Sequence, residues 1–198
     1  VLSTPQGREP CGQTKFCIRE EFRGAQLGDK RLTDRLLESV EILATMPGQA
    51  FSAASQGNKA AIKGHYRMID KPDESAITPE AILAPHRQRT LARMREHETV
   101  LCIQDGCELN YSGLTQCEGL GQIGTNQTGA SSAGLHLHST LAVGIDGVPL
   151  GVLRAAISAP LSKSADKRKR QDIPIEERKT FAWIEGLRDC VEASAQLT

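Results

Sequence analysis

Apolar residues at helical spacing dominate residues 20–97. One stripe predicts a helix that begins after Asp29 as N-cap and ends at Met46-Pro47-Gly48; its members are Leu32, Leu36, Leu37, Val40 and Leu43. A second helix is predicted at about 58–69, before Lys71-Pro72. A third is predicted from about 78 to 96, with Thr78 before Pro79 in its first turn. The pattern therefore indicates a small bundle of three or four short helices, a scaffold that can hold a helix-turn-helix reader of DNA.

After Glu98 the pattern changes from helical to extended. Residues 99–104 predict a short, buried strand that delivers Asp105 to its end, followed by a glycine-rich connection over 113–134. Residues 135–143 alternate as a second strand, and Asp146-Gly147 predicts the hairpin turn into a third strand over 148–157. A polar segment and a helix over about 174–195 follow. Three antiparallel strands and a helix are typical of the first half of an RNase-H-like mixed sheet.

These patterns divide the chain into three predicted parts. Residues 1–19 form a poorly ordered lead-in, residues 20–97 a helical domain, and residues 98–198 a partial RNase-H-like domain. The predicted fold class is therefore α followed by α/β.

The amino-acid composition indicates the cellular compartment more clearly than the function. Lys plus Arg equal Asp plus Glu, so the net charge of zero argues neither for nor against nucleic acid. The six cysteines form no CxxC pair and no zinc spacing, and Cys102 within an apolar strand indicates a reduced, cytoplasmic protein. We expect neither a membrane span nor secretion, because there is no long apolar run and no signal-like segment. The chain begins with Val rather than Met.

Asp105 is the candidate for metal chemistry. In open α/β sheets, functional groups gather at the carboxyl ends of strands, which is where Asp105 is predicted to lie. The alternative is an Asp that starts a turn into Gly106, and the residues alone leave both interpretations open.

Basic residues recur on two predicted helices. Lys30, Arg31 and Arg35 lie on or near one face, and Lys59, Lys63 and Arg67 repeat every four residues. They predict a surface that contacts phosphate, although a solvated face balanced by neighbouring acids is the alternative. The run at 167–170 is either a solvated loop or a further phosphate contact.

Other motifs carry less weight. His136 and His138 project to one face of a strand, and structural or DNA-facing roles are favoured over zinc because no third ligand is near. The letters GxGxxG at 119–124 do not stand between a strand and a helix, and there is no GxSxG elbow. Trp183 is expected to pack in the core.

Several segments together resemble bacterial insertion-sequence transposases of the transposon-five kind. Segments 27–32, 63–69 and 77–83 resemble the N-terminal DNA-binding region of that family. Segments 103–105 and 109–113 look like its first catalytic strand, 134–142 and 147–151 like the next two strands, and 181–187 like the following helix. The resemblance spans about residues 20–198 in the same order.

The resemblance implies cut-and-paste transposition of DNA. In that family a homodimer binds the terminal repeats of the element, and a DDE triad holds two divalent ions, Mg²⁺ or Mn²⁺, for phosphoryl transfer in an RNase-H-like fold. By position, Asp105 is the first triad member and a metal ligand. The residues that fall in the end-binding region are Lys30, Arg31, Arg35, Lys63, Tyr66 and Arg67.

The chain also departs from the family pattern. The second Asp and the Glu of the triad would lie beyond Thr198, and the nearby acids Asp146, Asp166 and Asp172 fall in a turn or a polar loop. We therefore expect a fragment that is inactive alone. The alternatives are a truncated DNA-binding inhibitor of transposition, a decayed fragment, or an RNase-H-like nuclease with another nucleic acid substrate.

Overall fold

The computed structural model describes residues 14–72, 74–114, 116–125, 129–160 and 172–197. The chain divides into two compact units between His86 and Arg87, which we call the helical unit and the sheet unit. The division falls inside a helix, α5 (Pro79–Met94), and precedes the predicted boundary at 97/98. The reason is that Leu91 and Met94, late in α5, belong to the core of the sheet unit.

The helical unit contains α1 (Thr14–Phe22), α2 (Lys30–Thr45), α3 (Phe51–Ala54) and α4 (Lys59–Ile69), followed by the start of α5. The three predicted helices are confirmed as α2, α4 and α5. Helix α1 covers residues 14–19 of the stretch predicted to be a lead-in, and residues 1–13 lie outside the described residues. Helix α3 is a single turn that the apolar pattern does not reveal.

Side-chain caps begin the main helices at the predicted places. The Asp29 carboxylate accepts a hydrogen bond from the Arg31 N–H at 2.8 Å, which confirms Asp29 as the N-cap of α2. Asn58 caps α4 by accepting from the Ala61 N–H at 3.1 Å, and the Thr78 hydroxyl accepts from the Ala81 N–H at 3.1 Å. These bonds satisfy N–H groups that the first helical turn leaves without partners.

The core of the helical unit forms around one face of α2. Leu36 packs with Ala25, Leu27 and Met68, and partly buried side chains surround them: Phe22, Leu32, Val40, Ile77, Ala81 and Ile82. The predicted stripe on α2 is therefore the buried face of that helix.

The sheet unit contains four antiparallel strands and a helix: β1 (Val100–Asn110), β2 (Gly121–Thr125), β3 (Ser131–Gly144), β4 (Pro149–Ser158) and α6 (Phe181–Ala195). Strand β3 pairs with each of the other three. The predicted hairpin turn between β3 and β4 is confirmed, since Asp146 accepts from the Val148 N–H and Gly147 takes a φ of +81°. Strand β2 lies in the predicted glycine-rich connection.

The prediction of a short, buried strand ending at Asp105 is wrong. Strand β1 runs for 11 residues, so Asp105 lies in its middle rather than at its end. Among the described strands it lies at the sheet edge with β3 as its neighbour, and Leu101 and Ile103 are each 50% exposed. The apolar run reflects strand formation and not burial on both faces.

The two faces of the sheet differ in chemistry. Directly opposite residues of antiparallel strands share a face, so Gln104, Thr140 and Arg154 lie in one row beneath α6. His136 and His138 share that face, and the apolar core there comprises Leu91, Met94, Ala142, Leu150, Leu153 and Ala193. The opposite face carries Ile103, Asp105 and Leu141. Within the described part of the chain, no helix is long and apolar enough to cross a membrane.

Candidate nucleic-acid interface

A concave site of about 320 Å³ lies between α2 and α4 in the helical unit. We call it the α2–α4 concavity, and its lining comprises Arg35, Glu38, Ala60, Ala61, Lys63, Gly64 and Arg67. The small residues Ala60, Ala61 and Gly64 belong to the first two turns of α4. Three cations and one carboxylate therefore surround a surface of small side chains and helix backbone.

Gly64 determines the depth of the α2–α4 concavity. A Cβ atom built on Gly64 would lie 3.9 Å from Nε and 4.0 Å from Cδ of Arg35, so the Arg35 side chain passes directly over this glycine. The helical periodicity of α4 places Lys63 and Arg67 one turn apart on the same face. The arrangement presents guanidinium and ammonium groups around one hollow, which is suited to an anion such as phosphate.

The seven predicted DNA-contacting residues do not form one cluster. Arg35, Lys63 and Arg67 lie together in the α2–α4 concavity. Lys30, Arg31 and Lys59 occupy exposed positions in the first turns of α2 and α4, and Tyr66 is 48% exposed with its ring edge against His65. Sequence spacing therefore identified the cations but not which of them converge.

Arg31 is already engaged by its own N-cap. Its guanidinium makes an ion pair with the Asp29 carboxylate at 3.0 Å, on a side chain that is 85% exposed. The hydrogen bonds from the Arg31 side chain and backbone lower the pKa of Asp29. Because Asp29 stays ionised, it offsets part of the positive charge that Arg31 offers to an approaching phosphate.

His65 holds α4 in place and was not singled out from the sequence. Its ring stacks on Phe51 with centroids 3.8 Å apart, and its Nδ1 lies 3.1 Å from the Ser39 hydroxyl of α2. Burial lowers the pKa of His65, so the ring is neutral at pH 7. The neutral ring thus links α2, α3 and α4 beside Gly64, and a histidine between basic residues carries little signal of such a role.

Asp105 lies in continuous strand structure. It pairs with Ser139 of β3, Gly106 pairs with His138, and the Asp105 carboxylate accepts the Gly106 N–H at 2.8 Å. The turn interpretation of Asp105-Gly106 is therefore wrong. Asp105 is exposed on the sheet face that does not carry Gln104 and Thr140.

Asp146, Asp166 and Asp172 are the acids that the sequence offers as alternative metal ligands. Asp146 is used in the β3–β4 turn, Asp172 is exposed, and Asp166 lies outside the described residues. Across the described ranges, no group of three or more His, Cys, Asp or Glu side chains could hold a metal ion. A two-metal centre requires several carboxylate oxygens, so the described residues alone do not fit one.

The paired histidines are buried in the sheet unit rather than presented to solvent. His138 is 1% exposed and meets the ring of Trp183 edge-on at 4.9 Å, and burial lowers the pKa of both His136 and His138. This placement agrees with a structural role. Trp183 itself is 47% exposed, which corrects its prediction as a core residue. The basic run at 167–170 lies outside the described residues.

Comparison with known families adds an independent finding. Residues 16–73 match the model of the transposase DNA-binding family. The matched range contains α2, α3, α4 and most of α1, and with them the whole α2–α4 concavity. This match supports a transposase that binds DNA.

Proposed function

We propose that the protein binds the DNA backbone in the α2–α4 concavity. We propose further that this region binds the element ends in a cut-and-paste transposase of the transposon-five kind. The observation that carries the proposal is the convergence of Arg35, Lys63 and Arg67 inside the range that matches the transposase DNA-binding family. The expected target is the terminal repeat of the element, and we expect a homodimer of the protein to bind the two ends.

The chemistry of the site favours phosphate over base edges. Lys and Arg that neutralise phosphates release counterions from DNA, which gives affinity with a strong dependence on salt. The small floor of Ala60, Ala61 and Gly64 lets the DNA backbone approach α4, while Glu38 limits the excess positive charge. Lys30, Arg31, Lys59 and Tyr66 would add contacts around the rim, with Tyr66 offering an exposed ring for stacking or hydrogen bonding.

The experiment is a binding titration of the full chain by fluorescence anisotropy. One labelled duplex carries the terminal repeats that flank the gene, and a second of equal length has random sequence. Arg35→Ala, Lys63→Ala and Arg67→Ala are each expected to weaken binding to both duplexes. Each should lower the slope of log K against log salt by about 1.

Lys71→Ala is the matched control, because it removes one exposed positive charge from the helical unit outside the α2–α4 concavity. Equal losses for Lys71→Ala and the three concavity variants would overturn the proposed site. Equal affinity for the two duplexes would remove the terminal repeats as the target while leaving DNA binding intact.

For catalysis, the proposal assigns Asp105 as one carboxylate ligand of Mg²⁺ or Mn²⁺ in a DDE centre of RNase-H-like type. Its support is the exposed position of Asp105 on β1 together with the resemblance of the surrounding strands. The remaining ligands would have to lie outside the described residues.

Paramagnetic broadening by Mn²⁺ tests the Asp105 assignment in the full chain. We expect amide resonances around Asp105 to broaden, and Asp105→Asn to abolish the effect. Glu108→Gln is the control, since Glu108 lies on the other face of β1 and pairs with Lys179 at 2.9 Å. Broadening that survives Asp105→Asn would contradict the metal role and favour a DNA-binding protein without catalysis.

A further inference from the structure

Two cysteines lie on facing surfaces of the sheet unit. Cys102 is on β1 two residues before Gln104, and Cys190 is on α6 one turn after Gly186. A Cβ atom at Gly186 would meet the Gln104 side chain, so α6 crosses β1 closely at this point. Three residues beyond Cys190, Ala193 packs in the same core cluster as Ala142, which is the residue directly opposite Cys102. The contacts on both sides of Cys190 therefore bring it over Cys102.

Cys102 and Cys190 are close enough for the Cys102 thiol to contribute to the raised pKa of Cys190, and both cysteines are free. Cys102 is exposed to solvent, whereas Cys190, on α6, is half-buried. The other two cysteines described in the sheet unit differ in position: Cys107 lies on the opposite face of β1, across from Leu137, and Cys117 lies in the connection after β1.

We propose that Cys102 and Cys190 are a thiol modification site, at which a low-molecular-weight disulfide such as oxidised glutathione drives formation of a reversible bond between β1 and α6.

The reaction proceeds by two thiol–disulfide exchanges. The Cys102 thiolate attacks one sulfur of oxidised glutathione, which forms a mixed disulfide and expels one glutathione thiolate. Cys190 then gives up its proton to solvent as its sulfur attacks the Cys102 sulfur, which forms the Cys102–Cys190 bond and expels the second glutathione as a thiolate; the two glutathione thiolates take up from solvent the two protons that the cysteines lose. The protein loses two electrons and two protons, and oxidised glutathione gains them.

The surroundings assign different roles to the two sulfurs. Burial, the neighbouring Cys102 thiol and the charge of Asp189 raise the pKa of Cys190 to about 12. Cys190 is therefore a thiol at neutral pH, and the exposed Cys102 is the sulfur that a soluble disulfide meets first. The resulting bond would connect the sheet edge to the helix that covers its polar face.

The test is oxidation of the full chain by oxidised glutathione, followed by non-reducing peptide mapping with mass spectrometry. A background variant with Cys11, Cys17, Cys107 and Cys117 changed to Ser retains only the proposed pair. We expect one intrachain crosslink between the peptides of Cys102 and Cys190, which dithiothreitol reverses. The melting temperature should rise on the order of 10 °C on oxidation.

Two further variants make the result decisive. Cys102→Ser in this background should show no glutathione adduct, whereas Cys190→Ser should stop at the mixed disulfide on Cys102. Cys107→Ser in the native sequence should leave the crosslink unchanged. A mixed disulfide that persists on Cys102 while Cys190 is present would overturn the proposal, as would crosslinks between other cysteines.

Discussion

The two units place their polar residues in opposite ways. In the helical unit the apolar stripe of α2 points inward, and the cations Arg35, Lys63 and Arg67 line a surface concavity. In the sheet unit, polar side chains such as His138 and Thr140 are buried beneath α6, while Leu101 and Ile103 are half-exposed. Periodicity identifies two faces in both cases, but only contacts from distant elements decide which face is covered.

The largest expected change in stability comes from truncating apolar side chains in the two units. Leu36→Ala in the helical core should lower the free energy of unfolding by about 3 kcal/mol, because it leaves a cavity among Ala25, Leu27 and Met68. Ile103→Ala on β1 should cost less than about 1 kcal/mol, because its side chain is already half in water. Urea unfolding followed by far-UV circular dichroism measures both.

A cost for Ile103→Ala as large as that for Leu36→Ala would contradict the comparison, since it would mean that this face of the sheet is covered in the protein. Leu101→Ala provides a second reading of the same face, as its exposure equals that of Ile103.

The next effect concerns ion pairs in the two units. Arg154 of β4 pairs with Glu185 at 2.7 Å and Asp189 at 2.8 Å, and so connects the sheet to α6. Arg154→Ala should cost about 2 kcal/mol, less than a fully buried pair because both acids are partly exposed. Fluorescence of Trp183, the single tryptophan, reports the unfolding of this unit.

Arg19→Ala is the counterpart in the helical unit. Its pair with Glu41 is 2.8 Å long, and the Arg19 side chain is 38% exposed against 17% for Arg154, so we expect a cost below about 1 kcal/mol. Equal costs for the two variants would show that the buried polar face of the sheet contributes no more to stability than a surface ion pair.

Acid should weaken the sheet unit more than the helical unit. Burial lowers the pKa of His136 and His138 in the sheet unit, and of His65 in the helical unit, below the ordinary value of 6.5. Because the unfolded state binds these protons more readily, stability is fully present above about pH 6.5 and falls as the pH drops below it. Unfolding followed by Trp183 fluorescence between pH 7 and 5 measures the slope in the sheet unit.

His138→Phe keeps a ring against Trp183 and should flatten this pH dependence. His65→Phe should leave the slope of the sheet unit unchanged. An unaltered slope in His138→Phe would assign the acid sensitivity to other groups.

The smallest expected change in stability comes from Gly64→Ala, which should affect stability and DNA binding in opposite directions. Gly64→Ala should raise the free energy of unfolding by about 0.5–1 kcal/mol, because glycine is a poor helix former and the new methyl group meets Arg35 at an ordinary distance. The same methyl group fills the floor of the α2–α4 concavity, so DNA affinity should fall. Ala60→Gly is the reciprocal control. A Gly64→Ala variant with unchanged affinity would place the DNA elsewhere.

Local signals in the sequence were sufficient where the structure depends on neighbours in the chain. The cap at Asp29, the stripe through Leu36 and the turn at Asp146-Gly147 each involve residues within a few positions of one another, and all three are confirmed. The helical spacing of Lys63 and Arg67 likewise predicted that they share one face of α4, while their contact with DNA stays a prediction.

The remaining features depend on contacts between distant segments. The apolar residues of β1 predicted burial, but their exposure depends on what packs against the sheet. Asp105 was placed at a strand end because pairing with β3 as far as Asn110 leaves no local mark. Trp183 was assigned to the core because it lies on the last helix with the apolar residues Ile184 and Leu187, but its side chain is half-exposed. The role of His65 depends on its contacts with Phe51 of α3 and Ser39 of α2, which no local pattern predicts.

The central position of β3 has a consequence for the order of folding. Every other described strand finds its partner on β3, so none of them gains pairing energy before β3 is extended. The β3–β4 hairpin closes a loop of five residues between Val143 and Pro149, and β2 closes one of equal length between Thr125 and Ser131, whereas β1 must close loops of 23 residues or more. Because β4 pairs with β3 over more residues than β2 does, we expect the β3–β4 hairpin to nucleate the sheet and β1 to join late. Substitutions in the hairpin would then slow folding, and those in β1 would mainly speed unfolding.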